Sequence, residues 1–362
     1  MKTQPVTPRA ARLTLARRLL LNAAPWCAAL GLLLPAPNAP AETHEIEAGG
    51  TITTTLFNSW NDGDTIMLKG DVQLGASPLT FDGKTFVFKS DTPLATRVID
   101  ALGTYHFATI YAGGTLTLDD IEIKNSIRGN NSGAILINGG DASGTAMFKG
   151  NFAITNATSG AAGGAIYVNQ GSLHLGGNVT FTGNTAGATN AAGAIHVNTA
   201  GATLTFAGVS TFTSNTAGTT GGAINMGNNG TLLFKNTATF TGNMTGAVNA
   251  GGAINVGSGA SITFEGVSTF TSNISGSGGG GGINIGASGS LVFKDNATFT
   301  GNLSNNGGAA IITSSPVIFE KDALFYSNTQ ASTASNRGGA IHIAGAGSLL
   351  IQGNAVFENN HN

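Results

Sequence analysis

The sequence predicts an all-β fold, a right-handed parallel β-helix, from three recurring motifs and from the lack of any helical period. Gly-Gly-Ala-Ile or a close variant recurs with its isoleucine at Ile135, Ile166, Ile195, Ile224, Ile254, Ile283, Ile311 and Ile341, 28 to 31 residues apart. Phe-x-x-Asn recurs at nearly the same interval, starting at Phe181, Phe212, Phe240, Phe270, Phe299, Phe325 and Phe357. Between the two lies an alternating apolar pair, such as Leu204/Phe206, Leu232/Phe234 and Ile262/Phe264. Short period-2 runs bounded by Gly, Asn, Ser and Thr read as strands. Three strands per unit of ~29 residues, each beside its own copies, make a solenoid in which one repeat is one coil. Copies then stack ~4.8 Å apart, and the hand follows from the right-handed crossovers of parallel sheets.

Taken in chain order, the first element is of another kind. Lys2, Arg9, Arg12, Arg17 and Arg18 form a basic start without an acid, an apolar run follows from Leu19 to Leu34, and Ala39-Pro40-Ala41 offers a small-x-small cleavage site. Residues 1–41 read as a signal peptide, with Asn22, Pro25 and Pro35 interrupting a run too short to span a bilayer. Cleavage would remove Cys27, the only cysteine, so the exported chain would have no disulfide to stabilise it.

Residues 42–130 read as less regular coils of the same architecture. Thr85-Phe86-Val87-Phe88 and Thr115-Leu116-Thr117-Leu118 precede Thr145-Ala146-Met147-Phe148 at 30-residue steps. Residues 131–362 form the repeat array, for a total of about eleven three-stranded coils.

Inside each coil the alternation predicts inward ladders of Ile166, Ile195, Ile224, Ile254 and Ile283, and of Phe181, Phe212, Phe240, Phe270 and Phe299. Asn184, Asn215, Asn243, Asn273 and Asn302 fall at a turn, where stacked amides can bond along the column or satisfy turn backbone. Paired glycines before each Ile are expected to supply positive φ where the chain re-enters the coil. Outward positions on the Ile sheet carry Tyr167, His196, Asn225, Asn255, Asn284 and His342. A variable insert, for example Thr185 to Ala192, separates Phe-x-x-Asn from the next Gly-Gly-Ala-Ile and is expected to form a ridge of loops.

Composition limits the function classes. With 16 Lys+Arg against 18 Asp+Glu there is no basic face for nucleic acid. At 41% hydrophobic and a net charge of −2, the chain can bury a core and is not a disordered tail. Between Asn151 and Phe319 only Lys235, Glu265, Lys294 and Asp295 are charged at neutral pH.

Phe181-Thr-Gly-Asn184 and Gly221-Gly-Ala-Ile224 carry a resemblance. Their alternation from about Ser132 to Asn360 is similar to the repeat of the chlamydial polymorphic outer-membrane proteins. That family comprises autotransporter-type surface proteins with β-helical passengers and a C-terminal membrane barrel. The resemblance implies an exported protein on the outer membrane surface or secreted. No barrel strands follow Phe357 to Asn362. The expectation is therefore a natural chain that continues, or a cap or partner on the last strand.

Two chemical alternatives arise from the residues. β-Helical polysaccharide lyases and hydrolases use clustered carboxylates, and here Asp62/Asp64 and Asp119/Asp120 with Glu122 are the candidates. Both groups read as turn or strand-end residues, and no catalytic, metal or cofactor set emerges. The second is a face made of Thr180 and Thr182, Thr211 and Thr213, Thr239 and Thr241, Thr269 and Thr271, and Thr298 and Thr300. With Phe inward these form two outward files, like those of β-helical ice-binding proteins, though Thr also suits any solvated strand. The reading adopted is a non-enzymatic adhesin or adhesin stalk. Its expected partner is a glycan or protein on a host-cell or matrix surface, with no nucleic acid and no cofactor.

Overall fold

Every strand pairing among the described residues is parallel, and each strand lies beside the equivalent strand one repeat away. The computed structural model describes residues 40–362, apart from 76–77, 140–144, 188–191, 249–250, 278, 306 and 333–337. The predicted signal lies outside the described residues but for its last two. Pro40–Asn362 form one compact unit, an all-β parallel solenoid. No helix among the described residues is long and apolar enough to cross a membrane.

Ten strands from Leu79–Phe81 to Ile341–Ile343 form the Ile sheet. Twelve strands from Thr51–Ile52 to Ala355–Glu358 form the Phe sheet. The third face has a four-stranded sheet from Thr43–Ile46 to Thr115–Asp119 and an eight-stranded one from Thr145–Phe148 to Leu349–Ile351. The N-terminal motif joins the same register, Thr85 pairing with Thr115 and Phe88 with Leu118. The five sheets hold four, eight, eight, ten and twelve strands, and the solenoid has about nine turns, against an expectation of about eleven coils.

Two features differ from the three-strand coil. After each Asn corner the chain makes a fourth strand, often only two residues long, such as Thr185–Ala186 and Thr216–Ala217, and eight of these form a sheet of their own. Two residues are too few to show period-2 alternation, so the start of the predicted insert is in fact paired structure. Near the N-terminus, a five-residue helix, Thr54–Asn58, begins with Thr53 Oγ1 accepting from Leu56 N. It places Phe57 5.4 Å from Phe81, on the first strand of the Ile sheet.

The interior is built of columns. Ile166, Ile195, Ile224, Ile254 and Ile283 are fully buried and paired in succession. Phe181, Phe212, Phe240, Phe270 and Phe299 stack with centroids 4.8 to 5.1 Å apart and planes within 9°. Phe206, Phe234, Phe264, Phe293 and Phe319 form a second stack. The two stacks meet edge to face, as Phe234 meets Phe240 at 5.7 Å and 88°, which sets the positive ring edge of one against the negative face of the other. Where Phe181 would be in the preceding coil stands Ile154, and Phe152 aligns with Val179.

The corner is a buried amide column. Asn215 Oδ1 accepts from Asn184 N at 3.1 Å and Asn184 Nδ2 at 2.9 Å, while its Nδ2 donates to Phe181 O and to Asn243 Oδ1, both at 2.9 Å. Asn243, Asn273 and Asn302 repeat the pattern, while Asn184, first in the column, accepts from Ala157 N; all are fully buried. The residue just before each Asn takes positive φ, from 53° at Ser214 to 63° at Gly183.

The glycine pairs do not serve the purpose expected of them. Among those preceding each Ile only Gly163 has positive φ. They are glycine because neighbouring coils touch backbone to backbone. A Cβ on Gly164 would lie 1.9 Å from Gly193 O, and one on Gly193, Gly222 or Gly252 would lie 2.0 Å from the carbonyl of the next coil. Gly222→Ala should therefore destabilise the rod at least as much as Phe240→Ala, for which a loss of ~3–5 kcal/mol is expected from the cavity left. Denaturant titration of both variants checks this; a loss below ~1 kcal/mol at Phe240 would mean that the stack carries little of the stability.

Candidate functional site

The ladder residues are structural and inaccessible, so a ligand must meet the outward positions. On the Phe sheet, Thr180, Thr211, Thr239, Thr269 and Thr298 stand in register, and so do Thr182, Thr213, Thr241, Thr271 and Thr300. All ten are half-buried. None of their hydroxyls bonds to another described residue. The files lie ~7 Å apart along the strand, with ~4.8 Å between successive members. The field has definite limits. Ala153 and Thr155 precede it, the Thr155 hydroxyl donating to Glu122. Leu324 and Tyr326 follow it, both exposed. The result is a flat, uncharged surface of hydroxyls and methyls.

The N-terminal acids are scattered, and Asp62, Asp64, Asp120 and Glu122 are already engaged. Asp64 is buried and accepts from Glu42 N and Asn61 N at 2.8 Å and from His44 Nε2 at 2.6 Å. Burial pushes its carboxyl up, but these donors together outweigh it and hold the pKa below the usual value. Asp62 Oδ1 accepts from Thr85 N. Asp120, at φ 55°, accepts from Leu94 N and Asn151 Nδ2 and lines a groove of about 280 Å³ without Asp119 or Glu122. Among the described residues no three His, Cys, Asp or Glu side chains converge as metal ligands would.

The outward file of the Ile sheet is less exposed than the alternation suggests. Tyr167, His196 and Asn225 are only 7%, 4% and 8% exposed. The Tyr167 and His196 rings lie 5.3 Å apart. Asn225 Nδ2 donates to His196 Nδ1 at 2.9 Å, Asn255 Nδ2 to Asn225 Oδ1 at 2.7 Å, and Asn284 Nδ2 to Asn255 Oδ1 at 2.7 Å. Alternation tells inside from outside. It cannot tell whether neighbouring turns rise beside an outward residue. His196 and His342 lie five strands apart on this sheet and do not share a site.

Burial lowers the His196 pKa to about 4, against a smaller opposing effect of the Asn198 side chain. His106 is also lowered to about 4, by burial first and then by the Arg128 charge. Both imidazoles are therefore neutral in the folded chain near pH 5, where the unfolded chain is already protonated. Stability should be flat above pH 6.5 and fall as the pH drops toward 4, by up to ~3 kcal/mol per histidine. Melting temperature against pH for wild type and His196→Gln checks this. The variant should lose part of the slope between pH 4 and 6.5, and an unchanged slope would contradict the assignment. In comparisons with protein-family models, curated proteins and solved structures, the chain matches none.

Proposed function

We propose that the chain is a non-enzymatic surface or secreted rod, an adhesin or the stalk of one, exported by the signal read at residues 1–41. The observation that carries this reading is the Thr field: ten hydroxyls in register over five strands, uncharged and without partners among the described residues. Such a surface presents one weak site many times. Multivalent contact with a glycan or protein surface gains avidity from repetition without a deep pocket. The stacked interior supplies the stiffness a stalk requires, and the coil is taken as right-handed on the general rule for parallel crossovers. The scarcity of charge suits short-range contact better than electrostatic steering.

The mature protein should begin near Glu42 and bind host-cell or matrix surfaces with an avidity that falls several-fold for each whole coil deleted. N-terminal sequencing and a binding series on coil deletions test both parts. Binding that ignores coil number would contradict the reading, and so would polysaccharide turnover abolished by Asp119→Asn with Asp120→Asn. The same Thr field favours ice as a second reading, since its files form a flat two-dimensional lattice. That reading requires thermal hysteresis that disappears when Thr239 and Thr241 are replaced by bulky residues.

A further inference from the structure

The molecule has two amide columns, and they use their hydrogen-bonding capacity differently. An Asn amide offers two N–H donors and two acceptor lone pairs. At the buried corner Asn215 uses all four, two through each end. On the outward side of the Ile sheet Asn225 and Asn255 use two each, one N–H and one lone pair. The remainder lies beside a groove of about 390 Å³, whose floor includes His196, Asn225 and Asn255 from three successive coils. Asn198, Ala200, Thr220 and Asn228 also line it. Among the described residues, no Lys, Arg, Asp or Glu lines it.

We propose that this groove binds an uncharged, linear β1→4-linked oligosaccharide lying along the rod axis, about one sugar to a coil. The proposal deepens the adhesive reading and rests on it for its biological setting, while the binding itself can be measured on free sugar. An extended β1→4 glycan advances per residue by roughly one coil spacing, ~4.8 Å, and its successive sugars are turned by about half a turn, so each sugar lies opposite one amide and every second sugar presents the same edge to it. Sugar hydroxyls both donate and accept, which fits an amide with one unspent N–H and one unspent lone pair. Bare backbone at Gly227 and Gly257 and the methyl of Ala200 offer low surfaces for sugar C–H groups. A charged ligand would find no counter-charge. An extended peptide would lack its usual anchor, because the backbone groups of these strands are already spent on neighbouring coils.

The test is titration of the full chain at pH 7 with cellotetraose and chitotetraose, followed by calorimetry and ligand-observed NMR. Saturable binding near ~1 mM or tighter is expected, with the tetrasaccharide stronger than the disaccharide. Asn255→Ala should weaken it at least ~10-fold. Ala200→Trp should do the same at an unchanged melting temperature, since Ala200 is an exposed wall residue whose replacement leaves the core intact. Lys235→Ala, outside the groove, should change nothing. Failure of both sugars to bind at ~10 mM, or binding indifferent to Ala200→Trp, overturns the proposal. If the sugars fail while coil-dependent adhesion persists, the groove assignment falls and the adhesive reading stands. If sugars bind and adhesion is missing, the reverse holds.

Discussion

Each residue in this rod has to tolerate a copy of itself, or its equivalent, one coil away at ~4.8 Å. That constraint selects the composition. Phenylalanine tolerates it by parallel stacking at 4.8 Å, as Phe212 does on Phe240. Asparagine tolerates it because its amide is a donor at one end and an acceptor at the other. Glycine tolerates it where two backbones meet with no space for a Cβ. A column of like charges would not, since repulsion between direct neighbours destabilises a sheet. The charged column of the repeat array obeys this rule. Lys235, Glu265, Lys294 and Glu320 follow the paired Phe234, Phe264, Phe293 and Phe319, so their signs alternate up the rod. Lys294 reaches Glu265 at 3.1 Å. The pair is exposed and adds little stability, but the alternation avoids a penalty.

The corner amides do what the aromatic stacks cannot. A stack of rings is held by non-directional burial, whereas each Asn must meet a particular backbone carbonyl and a particular amide. Phe212 O is satisfied by Asn243 Nδ2, and Asn215 N by Asn243 Oδ1. A strand slipped by one residue would bury those groups unpaired, at roughly 1–3 kcal/mol each. A fully satisfied buried network of this kind fixes register. It holds although the coils vary from 28 to 31 residues.

The columns were legible in the sequence because they are periodic. Ile195 under Ile224, Phe212 under Phe240 and Asn215 under Asn243 follow from the spacing of the motifs alone. What was not legible depends on a second coordinate, the distance between neighbouring coils around the perimeter. The role of Gly222 is set by the carbonyl of Gly252, which no property of the Gly-Gly pair reveals. The short strand Thr216–Ala217 has too few residues to declare a period. His196 alternates outward yet is almost covered, with the Tyr167 ring and the Asn225 amide against it. The Thr files stand outward and in register, yet all ten are half-buried, which alternation alone does not reveal.

The hydrogen bonds between coils run along the rod, which fixes how it yields when pulled from its ends. Tension loads the contacts between coils in series, so an end coil can peel away while the rest keeps its shape. Each released coil of about thirty residues pays out roughly 100 Å of slack chain. The broken contacts, two aromatic stacks and one amide column among them, are nearly the same at each step between Phe212 and Phe319. A tether of this design lengthens at an almost constant force, and it absorbs a jerk by shedding coils one at a time.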